Sequence, residues 1–111
     1  MLFRSVGGVA QGIGGTLLEE LVYTDEGQLA TTSFMDYMLP TAVEIPEVRL
    51  DHTETPSPHV PGGMKGAGEG GAIAPPAAVA NAVEDALAHL DVTVRSLPIT
   101  PGRVWRWVRG S

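Results

Sequence analysis

The chain has 111 residues, 43% of them apolar, and this length allows one small domain with a modest core. Thirteen acidic residues against seven basic ones give a formal charge of -6 without any basic run, so nucleic acid is excluded as an expected partner. The absence of cysteine excludes thiolate-bound metals and iron–sulfur clusters from these residues, and no apolar stretch approaches the roughly 20 residues of a membrane span. We therefore expect a cytoplasmic location.

The first predicted element is an amphipathic helix over residues 6–21. Its apolar residues recur four positions apart, at Val9, Ile13, Leu17 and Leu21. Gly12, Gly14 and Gly15 lie inside this helix, and each costs up to about 1 kcal/mol relative to alanine. The sequence thus predicts either that something approaches the backbone of this helix closely or that the helix is weak.

Four predicted strands follow along the chain. Residues 21–23 and 28–32 flank the turn-forming sequence 24–27, which predicts a β-hairpin. Residues 48–55 alternate between apolar and polar side chains, and residues 92–94 form another short strand pattern.

Two further helical segments are predicted in the second half of the chain. Pro75 and Pro76 suit the first turn of a helix that runs over residues 77–90. Thr100 and Pro101 suit the start of a last helical turn. Together the elements predict an α+β fold, with two main helices packed on a small, mostly antiparallel sheet.

Residues 61–74 form a glycine-rich loop, in which six of the ten residues from Gly62 to Gly71 are glycine. Glu69 is its only acid, and Lys65 is the only lysine of the chain. A carboxylate among such small residues, followed by apolar residues, suits a general base whose pKa is raised by partial desolvation. A flexible linker explains the same composition.

Other candidate sites are weaker on the residues alone. Gln11 offers a donor and an acceptor beside glycines that would admit a heterocycle, although a helix glutamine usually faces solvent. A nucleotide-binding loop is disfavoured because prolines precede the glycine run and no Lys-Ser or Lys-Thr ends it. No metal site built by the protein is expected, since three histidines lack ligand spacing: His52, His59 and His89. The acidic pairs Glu19-Glu20 and Glu84-Asp85 are interpreted as solvated helix faces.

Two long motifs carry a family resemblance. GGVAQGIGGTLLEE at residues 7–20 and GMKGAGEGGAIAPPAAVANAV at residues 63–83 resemble the last part of the molybdenum-binding large subunit of the xanthine dehydrogenase, aldehyde oxidase and carbon monoxide dehydrogenase family. Between them, VYTDEGQLATTSFMDYMLPTA is similar to the family's usual intervening segment. The resemblance implies that residues 1–111 are a C-terminal fragment of a larger molybdopterin-binding domain, with the glycine-rich loop at the active site.

The resemblance also implies roles for individual residues. Glu69, in the KGxGE motif, is the implied catalytic base that accepts a proton while an electrophilic carbon is hydroxylated. Gln11, in the AQGIG motif, is implied to hydrogen-bond the cofactor. The remaining implied cofactor-binding residues belong to the same two motifs: Gly12, Lys65, Gly68 and Gly70.

The implied cofactor is molybdenum-molybdopterin in its cytosine dinucleotide form, with iron–sulfur and FAD groups on partner domains or chains. The implied partners are the remainder of the large subunit, iron–sulfur and FAD subunits, and a small-molecule substrate of the aldehyde, N-heterocycle or carbon monoxide type. The GEGGAIAPPA run favours bacterial members that oxidise aldehydes or N-heterocycles.

We expect the isolated chain to be inactive. The alternative function is that of an inactive interaction or structural protein that binds through apolar residues 34–39.

Overall fold

The computed structural model describes residues 2–110, and within them the architecture is helical. Three α-helices are present: α1 (Leu2–Leu17), α2 (Ala74–Ala86) and α3 (Pro101–Arg109). Short 3₁₀ helices span Pro61–Gly63 and Ala88–Leu90. The central packing contact is between α1 and α2.

The expected α+β fold is wrong, because residues 2–110 contain no strand and no sheet. The hairpin over residues 21–32 is reduced to a single antiparallel bridge between Tyr23 and Leu29. Its turn forms as predicted, with Gly27 at φ 79° and the amide of Thr24 donating to the carbonyl of Gln28 at 2.8 Å. A two-stranded ribbon needs a third strand or a covering helix for stability, and this one is exposed throughout most of its length.

The two other predicted strands also fail to form. Residues 48–55 have no regular secondary structure and are mostly exposed, and no neighbouring strand in the described part of the chain pairs with their backbone groups. Residues 92–94 lie instead against α2, where the amide of Val94 donates to the Glu84 carboxylate at 3.0 Å. Glu84 is therefore half-buried and bonded, contrary to its interpretation as a solvated residue.

The first helix begins earlier and ends earlier than residues 6–21. In a continued helix the carbonyl of Thr16 would accept a bond from the amide of residue 20. It accepts instead from the amide of Ile99, at 2.6 Å, so the helix stops and the chain turns away. The Thr16 hydroxyl is fully buried and donates to the carbonyl of Gly12 at 2.5 Å.

A small core lies where α1, α2 and the segment before α3 meet. Its buried side chains are Ile13, Thr16, Pro75, Val92, Pro98 and Ile99. The start of α2 confirms the prediction that Pro75 and Pro76 suit a first helical turn. This packing fixes the beginning of α2, and hence the end of the glycine-rich loop, against α1.

The third helix is longer than the single turn predicted. Thr100 is its N-cap, with the side-chain oxygen accepting from the amide of Arg103, and Pro101 is its first residue. The Arg103 guanidinium pairs with Glu20 and donates to the carbonyl of Leu97 at 2.8 Å. Glu20 thus ties α3 to the end of α1, so the pair Glu19-Glu20 is not simply solvated.

Residues 21–60, which we call the extended segment, run over the outside of this helical core. Most of their side chains are exposed, including Phe34 at 81%, Met35 at 93% and Val43 at 90%. One anchor is the Tyr37 hydroxyl, which donates to the Glu19 carboxylate at 2.5 Å. Among residues 2–110, no helix has the length and apolar character required to cross a membrane.

Candidate functional site

A cleft of about 680 Å³ lies between α1 and the glycine-rich loop. Three of the predicted site residues line it: Gln11 from α1, and Gly68 and Glu69 from the loop. Arg4 and Gly8 complete the α1 side. The two sequence motifs, far apart along the chain, therefore meet at one concave surface.

Close backbone packing holds the glycine-rich loop on α1. A Cβ atom on Gly8 would lie 2.9 Å from the backbone of Gly71, too close for any side chain. A Cβ atom on Gly12 would lie 2.8 Å from the Cβ of Pro75. Glycine at both positions lets the end of the loop and the start of α2 rest directly on the helix.

The glutamate is positioned by a turn that leads into α2. The Glu69 carbonyl accepts hydrogen bonds from the amides of Ala72, at 2.9 Å, and Ile73, at 3.2 Å. Since Gly71 is held against α1 on one side of this turn, the turn places Glu69 at the cleft. Its side chain is exposed, which differs from the partial burial that its apolar neighbours suggested.

The structure separates the remaining predicted residues from this group. Gly12 is buried beneath Pro75, which accounts for a glycine at this position through packing within the chain. Lys65 is exposed, and its ammonium donates to the Thr55 hydroxyl at 3.0 Å. Gly70 is exposed, with its nearest contact for an added Cβ at 3.8 Å.

Sequence reasoning did not select Arg4 or Gly8. Positions 4, 8 and 11 recur at helical spacing and share one face of α1 with Gln11. That signal was present in the sequence, but the helix was predicted to begin at residue 6, which left Arg4 outside it. The observed start at Leu2 brings Arg4 onto the same face.

The cleft offers polar and charged groups of three kinds to a ligand. Gln11 supplies an amide donor and acceptor, Arg4 supplies a cation, and Glu69 supplies a carboxylate. An added Cβ on Gly68 would meet no atom within 4 Å, so a ligand can approach its backbone. Across residues 2–110, no three His, Cys, Asp or Glu side chains cluster as a metal-binding group.

Comparison with known proteins identifies the family. Residues 4–46 match the molybdopterin cofactor-binding domain. Over 104 residues the chain is 49% identical to the nicotine 6-hydroxylase large subunit of Paenarthrobacter nicotinovorans, an alignment that covers 94% of this chain and 13% of the relative. It is 41% identical over 100 residues to the carbon monoxide dehydrogenase large chain of Hydrogenophaga pseudoflava, covering 90% of this chain and 12% of the relative.

The solved structures agree with this. The crystal structure of quinoline 2-oxidoreductase from Pseudomonas putida 86 matches with a TM-score of 0.94 and 55% sequence identity, over 97% of this chain and 14% of that chain. The chain belongs to the family of molybdenum-binding large subunits. As a member of this family it corresponds to one segment, since it spans about 13% of the length of the curated relatives it matches.

The comparison confirms the family resemblance drawn from the two motifs. It also accounts for the conformation of the extended segment, because a structural match over 97% of the chain includes residues 21–60. The path of the extended segment is thus shared with the chain of quinoline 2-oxidoreductase. The roles of Glu69 and Gln11 stay predictions.

Proposed function

We propose that this chain provides the catalytic base and part of the molybdopterin site of a molybdenum hydroxylase. The observation that carries the proposal is the meeting of Gln11, Gly68 and Glu69 in one cleft. These residues come from two separate motifs, and packing of the loop on Gly8 and Gly12 brings them together. Such close packing of the glycine-rich loop on α1 is not expected of a flexible linker.

The residues fit a bound pterin in their donor chemistry. The amide of Gln11 offers both a hydrogen-bond donor and an acceptor to a heterocycle edge. The backbone at Gly68 is open to contact, since an added Cβ there would meet no atom within 4 Å. When bound, the molybdenum cofactor supplies the oxidising centre and the oxygen-transfer chemistry.

Glu69 performs the proton transfer in this proposal. Its carboxylate oxygen Oε accepts a proton as an oxygen nucleophile attacks an electron-poor carbon of the substrate. The turn over residues 69–73 holds the backbone of the glutamate, while the exposed side chain remains free to reach into the cleft. The cofactor and the rest of the subunit would complete the enclosure of this carboxylate.

A nitrogen heterocycle is the proposed substrate class. The relatives at 49% and 55% identity are named for nicotine and quinoline, both of which contain such a ring, whereas the carbon monoxide dehydrogenase chain is 41% identical. An aldehyde or carbon monoxide is the alternative substrate.

Electrons must leave the site through groups that this chain does not hold. It contains no cysteine, so iron–sulfur ligation has to come from other residues or chains. We propose iron–sulfur and FAD subunits as partners, a cofactor in the cytosine dinucleotide form, and a cytoplasmic assembly. The names "large subunit" and "large chain" of the relatives support a multi-subunit enzyme.

The test is Glu69→Gln in the enzyme assembled with the complete large subunit and its partners. Removing the base should lower kcat for hydroxylation of a nitrogen heterocycle by at least about 100-fold. Molybdenum content, measured by mass spectrometry of the purified complex, should stay near that of the unsubstituted enzyme.

Glu47→Gln is the matched control, because Glu47 is exposed and does not line the cleft. It should leave both kcat and molybdenum content unchanged. A Glu69→Gln enzyme that carries full molybdenum and turns over within a few-fold of the unsubstituted rate would overturn the proposed base.

The second candidate function is an inactive interaction protein. The exposure of Phe34 and Met35 favours it, since large apolar groups on a surface usually mark a contact. Phe34→Ser should then weaken association with a partner, while Glu69→Gln would have no effect on any measured property.

A further inference from the structure

The cleft contains a cation that the proposed proton transfer does not use. Arg4 lines it together with Gln11 and Glu69. On α1, residues 4 and 11 are seven positions apart, which places them on nearly the same helix face and about 10 Å apart along the axis. The arginine and the amide thus lie along one edge of the cleft.

Arg4 differs from Arg103 and Arg109 of α3, each of which contacts a partner group within the described residues. Arg103 pairs with Glu20, and Arg109 lies 4.8 Å from the centre of the Trp105 ring. Within residues 2–110, the Arg4 side chain has no hydrogen bond or ion pair. A guanidinium carries five donors in a fixed plane, so in this position it is available to a bound anion.

We propose that Arg4 binds the phosphate end of the ligand whose heterocycle Gln11 hydrogen-bonds. The planar guanidinium matches two oxygens of a phosphate at once, whereas the Gln11 amide matches the edge of a ring. This assignment rests on the proposed function in taking the ligand to be a pterin with a phosphate or pyrophosphate group.

The charges of the cleft also set the direction of the ligand. Arg4 attracts an anionic group, and the Glu69 carboxylate repels one. The phosphate end therefore lies beside Arg4, and the reactive end of the ligand lies toward Glu69. Arg4 thereby orients the ligand without taking part in the proton transfer.

Binding of pyrophosphate to the full 111-residue chain tests the proposal without any turnover. Isothermal titration calorimetry at low salt should detect binding to the unsubstituted chain. Arg4→Gln should weaken it at least about 10-fold, in line with the loss of a charge-assisted hydrogen bond. Arg4→Lys, which keeps the charge, should retain part of the affinity.

Two variants serve as matched controls. Arg49→Gln removes an exposed positive charge of the extended segment, outside the cleft, and should leave the affinity within about twofold of that of the unsubstituted chain, as expected for a screened distant charge. Glu69→Gln removes the repulsive carboxylate and should leave binding equal or tighter. Circular dichroism of each variant checks that the helices are retained.

The proposal is overturned if the unsubstituted chain does not bind pyrophosphate. It is also overturned if Arg4→Gln and Arg49→Gln lower the affinity for pyrophosphate equally. Either result leaves the proposed function standing, because that depends on turnover by the Glu69→Gln enzyme. Conversely, if Arg4→Gln loses pyrophosphate binding and Arg49→Gln does not, the anion site is supported. That support holds even if the assembled Glu69→Gln enzyme remains active.

Discussion

Adjacent glycines in α1 have opposite surroundings. Gly8 lies against the backbone of Gly71, while an added Cβ on Gly7 would meet no atom within 4 Å. The sequence predicted a close approach at Gly12, Gly14 and Gly15. Pro75 and Pro40 of the same chain approach the first two, whereas an added Cβ on Gly15 would meet no atom within 4 Å. Sequence alone could not separate the contacted glycines from the open Gly7, because the contact is made by residues distant in the chain.

This difference predicts opposite effects of alanine on stability. Gly7→Ala should raise the free energy of unfolding by about 0.4–1 kcal/mol, because alanine reduces the backbone entropy of the unfolded chain. Gly8→Ala should lower it by about 1–3 kcal/mol, because the new methyl group forces the glycine-rich loop away from α1. Urea unfolding of the full chain, followed by circular dichroism, measures both changes; shifts of the same sign would contradict the described packing.

The helices were predictable as elements because their signals are local. Pro75-Pro76 and Thr100-Pro101 marked helix starts that the structure confirms, although the boundaries differ by several residues. The predicted strands failed because a strand depends on a partner, and the turn at Gly27 can form without the sheet around it. The cleft was predictable in part, since Gln11 and Glu69 were selected, but Arg4 depended on where α1 begins.

The contact between the extended segment and the end of α1 involves a group that can be titrated, the Tyr37 hydroxyl. The Tyr37 hydroxyl donates to Glu19, and this hydrogen bond, together with burial and the negative charge of Glu19, raises the pKa of Tyr37. Because the folded-state pKa lies above the unfolded value, the stabilisation from this contact is complete below the ordinary tyrosine pKa of about 10. It is lost as the pH rises through the raised pKa.

Glu19→Gln should therefore lower the pKa of Tyr37 toward the ordinary tyrosine value, because the amide is uncharged and a weaker acceptor. Ultraviolet absorbance of the phenolate, recorded in a Tyr23→Phe background that leaves Tyr37 as the only tyrosine, measures the change. Glu44→Gln is the control, since Glu44 bonds to Thr41 and not to Tyr37. A Tyr37 pKa unaffected by Glu19→Gln would show that the extended segment is not anchored there in solution.

The molecule as a whole exposes more surface than its size requires. Its accessible area is 8648 Å², whereas a compact monomer of 11.6 kDa would expose about 5,800 Å². Its radius of gyration is 17.6 Å, against about 13 Å for a compact chain of 111 residues. A chain of quinoline 2-oxidoreductase shares this path over 97% of the present chain, which corresponds to 14% of that longer chain. The excess surface therefore fits a segment whose outer face is covered by further residues.

If further residues cover the extended segment in the assembled subunit, its amide hydrogen exchange should differ between the isolated chain and the assembly. In the isolated full chain, the amides of α1 and α2 near Ile13 and Pro75 should be the slowest to exchange, because they surround the small core. Residues 41–60, which are largely exposed and make few backbone hydrogen bonds, should exchange almost as fast as an unstructured peptide. In the assembled large subunit the same residues should be strongly protected, while protection of the α1–α2 core should change little. Equal exchange of residues 41–60 in the two states would mean that the rest of the subunit does not cover the extended segment, and the excess surface would then be a property of the segment itself.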